Sequence, residues 1–314
     1  MRSDPFPLMA VTLWLSATPA AALAVGAIGE VGATLQATVR PEDGAAARGP
    51  SSSLEARLER EAPAVPERGK AFACDATPID PGGVEVELAY APSWWAVAGD
   101  VDRGRGSAQP LVLAVGVGIA RDLDARVAVG WSTLRDPSGD PGGPQRGSGL
   151  ADSTLGARWR YLSLAEPAID LAVTVGATLP TGTRTTARAL GTSQGTWSLG
   201  GALVASADWE RWTANAELGY TAPVRPREAS DVGLLTANVA LGRQVAPWLQ
   251  PEVELNYQHE LEAGPEPDER VLWASAGLVI PVAPARLVVG VRLPLWQSHA
   301  AAGPTVTAAV KLAF

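Results

Sequence analysis

The chain has 314 residues, 25 Lys+Arg against 33 Asp+Glu, a formal net charge of -8, 2 His and 1 Cys. An acidic balance repels phosphates, one Cys makes no internal disulfide, and two His with one Cys furnish no zinc ribbon, so nucleic-acid binding, a stapled domain and a zinc fold are excluded. Eleven Trp against three Phe is an odd choice for a water-soluble core and points to a lipid interface, where an amphipathic ring is favoured.

Arg2 is followed by an uncharged run from Leu8 to Ala24 that closes on Ala22-Leu23-Ala24. A positive start, a short apolar core and a small-x-small ending predict a cleaved export signal over 1–24. A membrane anchor fits less well, because Pro19 and the small residues after it suit a cleavage site better than a spanning helix. Residues 25–80 are rich in Ala, Pro, Glu and Arg and nearly lack large apolar side chains, so ordering them is not offset by burial and disorder is expected. Two readings of this segment stay open: a periplasmic tail, and a plug whose Arg57, Arg60, Arg68 and Lys70 meet carboxylates inside a pore. Cys74 has no assigned role.

From Val84 the apolar period becomes two, the signature of half-buried strands. In chain order, VEVELAY sets Glu85 and Glu87 against Val84, Val86 and Leu88. ARVAVGW sets Arg126 against Val127, Val129 and Trp131. STLGARWRY sets Arg158 and Arg160 against Trp159 and Tyr161. IDLAVTVGATL sets Asp170 against Ile169 and Leu171. RWTANAELGY sets Asn215 and Glu217 against Trp212, Leu218 and Tyr220. PEVELNYQHE sets Glu252 and Glu254 against Val253, Leu255 and Tyr257, and Arg292 and Lys311 occupy polar positions of the last two segments. In ERVLWASAGLVI (269–280) both faces are apolar and the register stays open.

Twelve such segments are predicted, over 84–91, 110–120, 124–134, 150–162, 168–179, 195–206, 209–221, 232–242, 248–260, 269–280, 285–295 and 304–314. Five short and six long links alternate between them. Strands near 9–11 residues with short turns at one end and long loops at the other predict an all-β, up-and-down antiparallel transmembrane barrel over 81–314 in the bacterial outer membrane. The lumen lining is then Glu85, Glu87, Arg126, Arg158, Arg160, Asp170, Asn215, Glu217, Glu252, Glu254, Arg292 and Lys311. Aromatic girdles against outer-membrane lipid are expected from Trp131, Tyr220 and Tyr257 at the loop ends and from Trp159, Tyr161, Trp212 and Trp248 at the turn ends. Trp95 and Trp273 are expected in the loop-end girdle as well. The last segment ends on Phe314 and resembles the terminal signal of outer-membrane proteins that the barrel assembly machinery reads.

GLADSTLGARWRYL (149–162) followed by VGATLPTGT (175–183) resembles the paired motif of the MetA-pathway-of-phenol-degradation family, and IDPGGVEVELAY (79–90) is similar to its first strand. The resemblance spans residues 79–314. It implies an outer-membrane barrel of the transporter or channel kind and supplies no catalytic residue.

The leading functional expectation is passage of a small molecule, hydrophobic or aromatic in class, through a lumen of mixed charge and weak ion selectivity. A structural or surface-interaction barrel with a blocked lumen is the alternative. A lipid hydrolase is a remote one, since His259 and His299 are the only candidate bases and neither accompanies a Gly-x-Ser-x-Gly element. No catalytic, metal or cofactor residue is assigned and no cofactor is expected.

Overall fold

The computed structural model describes residues 74–96, 105–136, 145–165, 168–186, 189–224, 231–262, 268–298 and 302–314. The expected export signal and residues 25–73 lie outside them. Fourteen strands follow in order: β1 (Val84–Tyr90), β2 (Ser93–Ala96), β3 (Arg105–Ala120), β4 (Leu123–Arg135), β5 (Arg146–Leu150), β6 (Ser153–Leu164), β7 (Ala168–Leu179), β8 (Ser198–Trp209), β9 (Trp212–Pro223), β10 (Asp231–Arg243), β11 (Gln250–Glu262), β12 (Glu269–Val282), β13 (Ala285–Ser298) and β14 (Thr305–Ala313).

These fourteen strands fill twelve places in the wall. β1 and β2 both lie between β3 and β14, and β5 and β6 both lie against β4. The first break falls at Ala91-Pro92, where proline has no N–H to give to the ladder. The neighbours adapt: Val306 N donates to Pro92 O at 3.0 Å and Ala91 N to Pro110 O at 3.2 Å. All pairings are antiparallel, and β1 closes the ring on β14 with Glu85 opposite Ala313 and Tyr90 opposite Ala308. The predicted up-and-down barrel is the observed fold. No helix among the described residues is long and apolar enough to cross a membrane, and the crossing belongs to the strands.

Burial alternates along the strands as the period-two reading requires. In β4 the inward set Asp124, Arg126, Ala128, Ser132 and Leu134 is buried, while Val127, Val129 and Trp131 are exposed. Leu155, Leu203, Val239, Val253 and Leu255 are likewise exposed on other strands, which gives the barrel an apolar outer band. Trp131 and Tyr220 at the loop end, and Trp159, Tyr161 and Trp248 at the turn end, stand outward and exposed; Trp212 and Tyr257 are half-buried. The exterior is that of an outer-membrane protein.

Three sequence expectations change. The links 92–109 and 135–149 contain strand, since β2, the start of β3 and β5 extend the wall on that side. Their Gly, Ser and Arg content hides the alternation: at Gly106 an added Cβ would lie 2.1 Å from Trp95 Cε2, so a bare position is needed where the indole packs. That same contact turns Trp95 inward, out of the girdle. The open register of 269–280 resolves with Val271, Trp273, Ser275 and Val279 buried and Leu278 exposed. Trp273 therefore faces the lumen too, beneath the guanidinium of Arg292 at 4.6 Å from the ring centroid. Two apolar faces in sequence become one lipid face and one face packed inside.

Leu255 stands outward near the middle of β11, whereas Val245 is outward in the turn before it. Leu255→Arg is expected to lower unfolding free energy by about 2–4 kcal/mol and Val245→Arg by at most about 1 kcal/mol. Urea unfolding in lipid vesicles measures both, and equal costs at the two depths would contradict the placement of the membrane.

Candidate functional site in the barrel interior

The interior is charged most heavily at the seam where the first and last strands meet. Glu85 on β1 is held by Lys311 Nζ at 2.6 Å from β14 and by Arg126 Nη2 at 2.9 Å from β4. Arg126 reaches Glu85 across β3 because Gly116 lies between them in register; a Cβ there would come within 3.2 Å of Arg126 Cγ and 2.6 Å of Ile79 Cδ1. Glu87 and Arg286 stand opposite Lys311 on either side, all three buried. A second polar row crosses β9 to β12. Asn238 donates to Glu217 at 3.1 Å, and Asn256 donates to Asn238 at 3.1 Å and to Glu254 at 3.3 Å. Ser275 donates to Asn256.

Residues 74–80 run inside the barrel, along the wall at the turn end. Asn215 of β9 donates to Cys74 O at 2.7 Å. Ser206 of β8 donates to Asp75 Oδ1 and accepts from Ala76 N, both at 2.9 Å. Thr77 donates to Asp170 of β7 at 3.1 Å, and Ile79 N to Asp124 of β4 at 2.9 Å. Arg158 of β6 donates to Asp75 O at 2.8 Å and pairs with Asp124, whose side chain is fully buried. Cys74 and Ala76 also pack on Ala172 and Val204. The segment then passes Asp80 over Gly118, where a Cβ would lie 1.9 Å from Asp80 O, and turns into β1 through Gly82 at φ 80°, a conformation open to glycine at no steric cost.

The loop end is narrowed by residues 180–186 and 189–196. The two quoted motif segments meet there. Asp152 accepts from Gly182 N at 2.9 Å and from Gln194 N at 2.7 Å, and Ser153 and Thr181 share a hydroxyl bond of 2.8 Å. A Cβ at Gly149 would lie 2.1 Å from Thr183 Oγ1. So clamped, the loop sets Leu190 against Trp95, Ala108 and Leu134, with Leu190 N on Arg146 O at 2.9 Å. Between this loop and the inner segment lies a cavity of about 80 Å³, bounded by threonines and glycines, by Asp124, Arg126, Arg158 and Glu217, and by Cys74. A smaller space of about 40 Å³ adjoins Thr192 and Gln194.

The expected lumen residues thus fall into groups. Glu85, Glu87, Arg126 and Lys311 gather at the seam; Arg158, Asp170 and Asn215 bind the inner segment; Glu217 and Glu254 join the amide row. Glu252 and Arg292 are buried on β11 and β13. Arg160 sits at the turn-end rim, bonded to Asp122 at 2.8 Å and near Asp170 at 3.5 Å. Among the described residues Phe314 is the most exposed large apolar one, and its backbone bonds Val84 in both directions at 2.9 and 3.1 Å. His259 contacts Asp268 at 2.8 Å and Arg270 at 3.2 Å at the loop-end rim, while His299 lies outside the described residues. Sequence reasoning missed Asp75, Asp124, Asp152 and Ser206. The Leu-Asp-Ala-Arg opening of β4 carried a trace of Asp124, but Asp75 lay in a stretch whose composition signalled only disorder.

Arg158→Met leaves Asp124 buried without its cation and is expected to cost about 3–5 kcal/mol. The double change Arg158→Met/Asp124→Leu removes both charges and is expected to cost less than the sum of the single ones. A double-mutant cycle on urea unfolding reads this, and strict additivity would show the pair uncoupled.

Among solved structures the chain is similar to the β domain of the Bordetella autotransporter BrkA (13% identity, TM-score 0.43, 75% of this chain and 100% of that one). It is also similar to the monoaromatic hydrocarbon channel CymD (8%, 0.39, 75% and 88%) and to the Pseudomonas putida toluene transporter TodX (8%, 0.39, 80% and 96%). At such values the likeness says nothing of cargo, and the architecture stands on the strand pairing itself. No curated protein matches the sequence. The family described as "Putative MetA-pathway of phenol degradation" matches residues 111–292, from β3 to β13, and the chain belongs to that family.

Proposed function

We propose that the protein is an outer-membrane channel that passes a small molecule, hydrophobic or aromatic in class, and that residues 74–80 hold it shut at the turn end. The observation that carries this reading is how the inner space ends. Its floor includes Cys74, on a segment attached to the wall by hydrogen bonds and one small apolar cluster. A barrel whose only task is structural gains nothing from a separable floor. The mixed charges at the seam do not favour one ion, which suits a neutral solute. The family's description names phenol degradation, which agrees with the solute class.

The test is removal of residues 25–80 with the export signal kept. In planar bilayers the truncated barrel is expected to conduct several-fold more than the full chain, at unchanged heat-modifiable mobility, and to admit phenol in a liposome flux assay. Equal conductance and no flux in both proteins would overturn the channel in favour of a blocked structural barrel.

A further inference from the structure

On the wall away from the seam, three glycines lie side by side in register. Gly156 of β6 pairs with Gly176 of β7, which pairs with Gly200 of β8; Arg126 and Thr221 flank the row. Three adjacent strands about 4.8 Å apart that carry no side chain present a flat surface of peptide planes. Their N–H and C=O groups are used in the ladder, so the patch itself offers few free polar atoms, and Arg126, Arg158 and Glu217 stand at the edges of the cavity over it. The cavity of about 80 Å³ lies over it. A Cβ added to Gly176 would meet one atom, Leu155 O at 3.2 Å, and otherwise project into open space. At Gly200 a Cβ would lie 2.4 Å from Thr221 Oγ1, so that threonine edges the patch.

A second, independent observation points to an occupant. Thr154, 3% exposed, lines this cavity, and its Oγ1 has no hydrogen-bond partner. A buried hydroxyl without a partner is costly, and a ligand that bonds it recovers that cost. Thr154 is the cross-strand partner of Thr178, and both also line the smaller space of about 40 Å³ toward the loop end. Both spaces border this pair.

We propose that the Gly156–Gly176–Gly200 patch is the solute site of the channel, shaped for a planar molecule with one hydrogen-bonding substituent. The ring lies flat on the glycines and the substituent meets Thr154 Oγ1. At Gly176, where an added Cβ meets only Leu155 O, the absence of a side chain is then a requirement of the ligand more than of the fold. The proposal rests on the channel reading.

Phenol and toluene are the probes, titrated by equilibrium dialysis against the full-length purified barrel. Wild type is expected to bind phenol saturably at one site. Gly176→Leu fills the patch and is expected to weaken binding about 10-fold or more. Gly176→Ala, a smaller change should the leucine variant fail to fold, is expected to weaken it by a smaller factor. Thr154→Val keeps the shape and is expected to weaken phenol about 3- to 10-fold while leaving toluene unchanged. Unaltered phenol affinity in both Gly176 variants, or equal losses for phenol and toluene in Thr154→Val, would overturn the site. Phenol flux through the barrel lacking residues 25–80 without saturable binding also overturns the site and leaves the channel standing. Saturable binding with no flux overturns the channel instead.

Discussion

A peptide group in hydrocarbon has no water to bond, so the wall of this barrel must return to its own first strand. Every other feature is subject to that closure. Eleven neighbouring places are joined by turns or loops, but β1 and β14 have only their ladder and what their side chains add. The terminal Phe314 extends the ladder by two backbone bonds to Val84. Inside, Glu85 ties β1 to β14 through Lys311 and, over the bare Gly116, to β4 through Arg126. A carboxylate shared by two cations from both directions along the wall is well placed to fix the register of the closing pair. Charges that close the ring also fill that side of the lumen.

The interior is therefore lopsided. The seam half carries Glu85, Glu87, Arg126, Arg286 and Lys311, whereas β6 to β10 add glycines and threonines around Arg158 and Glu217, and the open space is found there. The segment 74–80 takes its partners mostly from this second half, on β4, β6, β7, β8 and β9. Its attachment consists of hydrogen bonds, each worth about 1 kcal/mol net, and a small cluster of Cys74, Ala76, Ala172 and Val204. Departure of the segment would also let water reach Arg158 and Asp124, which now bear the desolvation cost of a fully buried pair. Hydration of that pair would offset part of the loss of contacts.

Much of this was legible in the sequence. Lipid on one side and polar groups on the other impose a period of two, and the parity it assigns to Glu85, Arg126, Arg158, Glu252 and Lys311 is the parity found. The twelve wall places follow from the alternation of short and long links. What the pattern does not carry are contacts that exist only after closure. Glu85 and Lys311 are neighbours because the ring is shut, and Asp75 meets Ser206 at a separation of 131 residues. The inward turns of Trp95 and Trp273 were hidden because an aromatic near a strand end reads equally as girdle or lining. The partner strand decides it: Gly106 makes room for Trp95, and Trp273 stands in register with the inward Asn256.

The residues that carry the family resemblance point the same way. Gly149, Asp152 and Ser153 at the junction of β5 and β6, and Thr181, Gly182 and Thr183 after β7, do not belong to the charge network; they form the clamp that holds residues 180–186 and 189–196 against the wall at the loop end. Asp152 caps two backbone N–H groups of that loop, which would otherwise go unbonded beneath it. The clamped loop covers the side of Trp95, Ala108 and Leu134, while its Thr192 and Gln194 border the space that continues past Thr154 and Thr178. The motif loop and the glycines of β6, β7 and β8 thus border the same side of the interior, where Thr154 and Thr178 touch both spaces. The charges divide between two tasks: Glu85, Arg126 and Lys311 tie the closing strands, and Arg158 and Asp170 hold the inner segment against the wall.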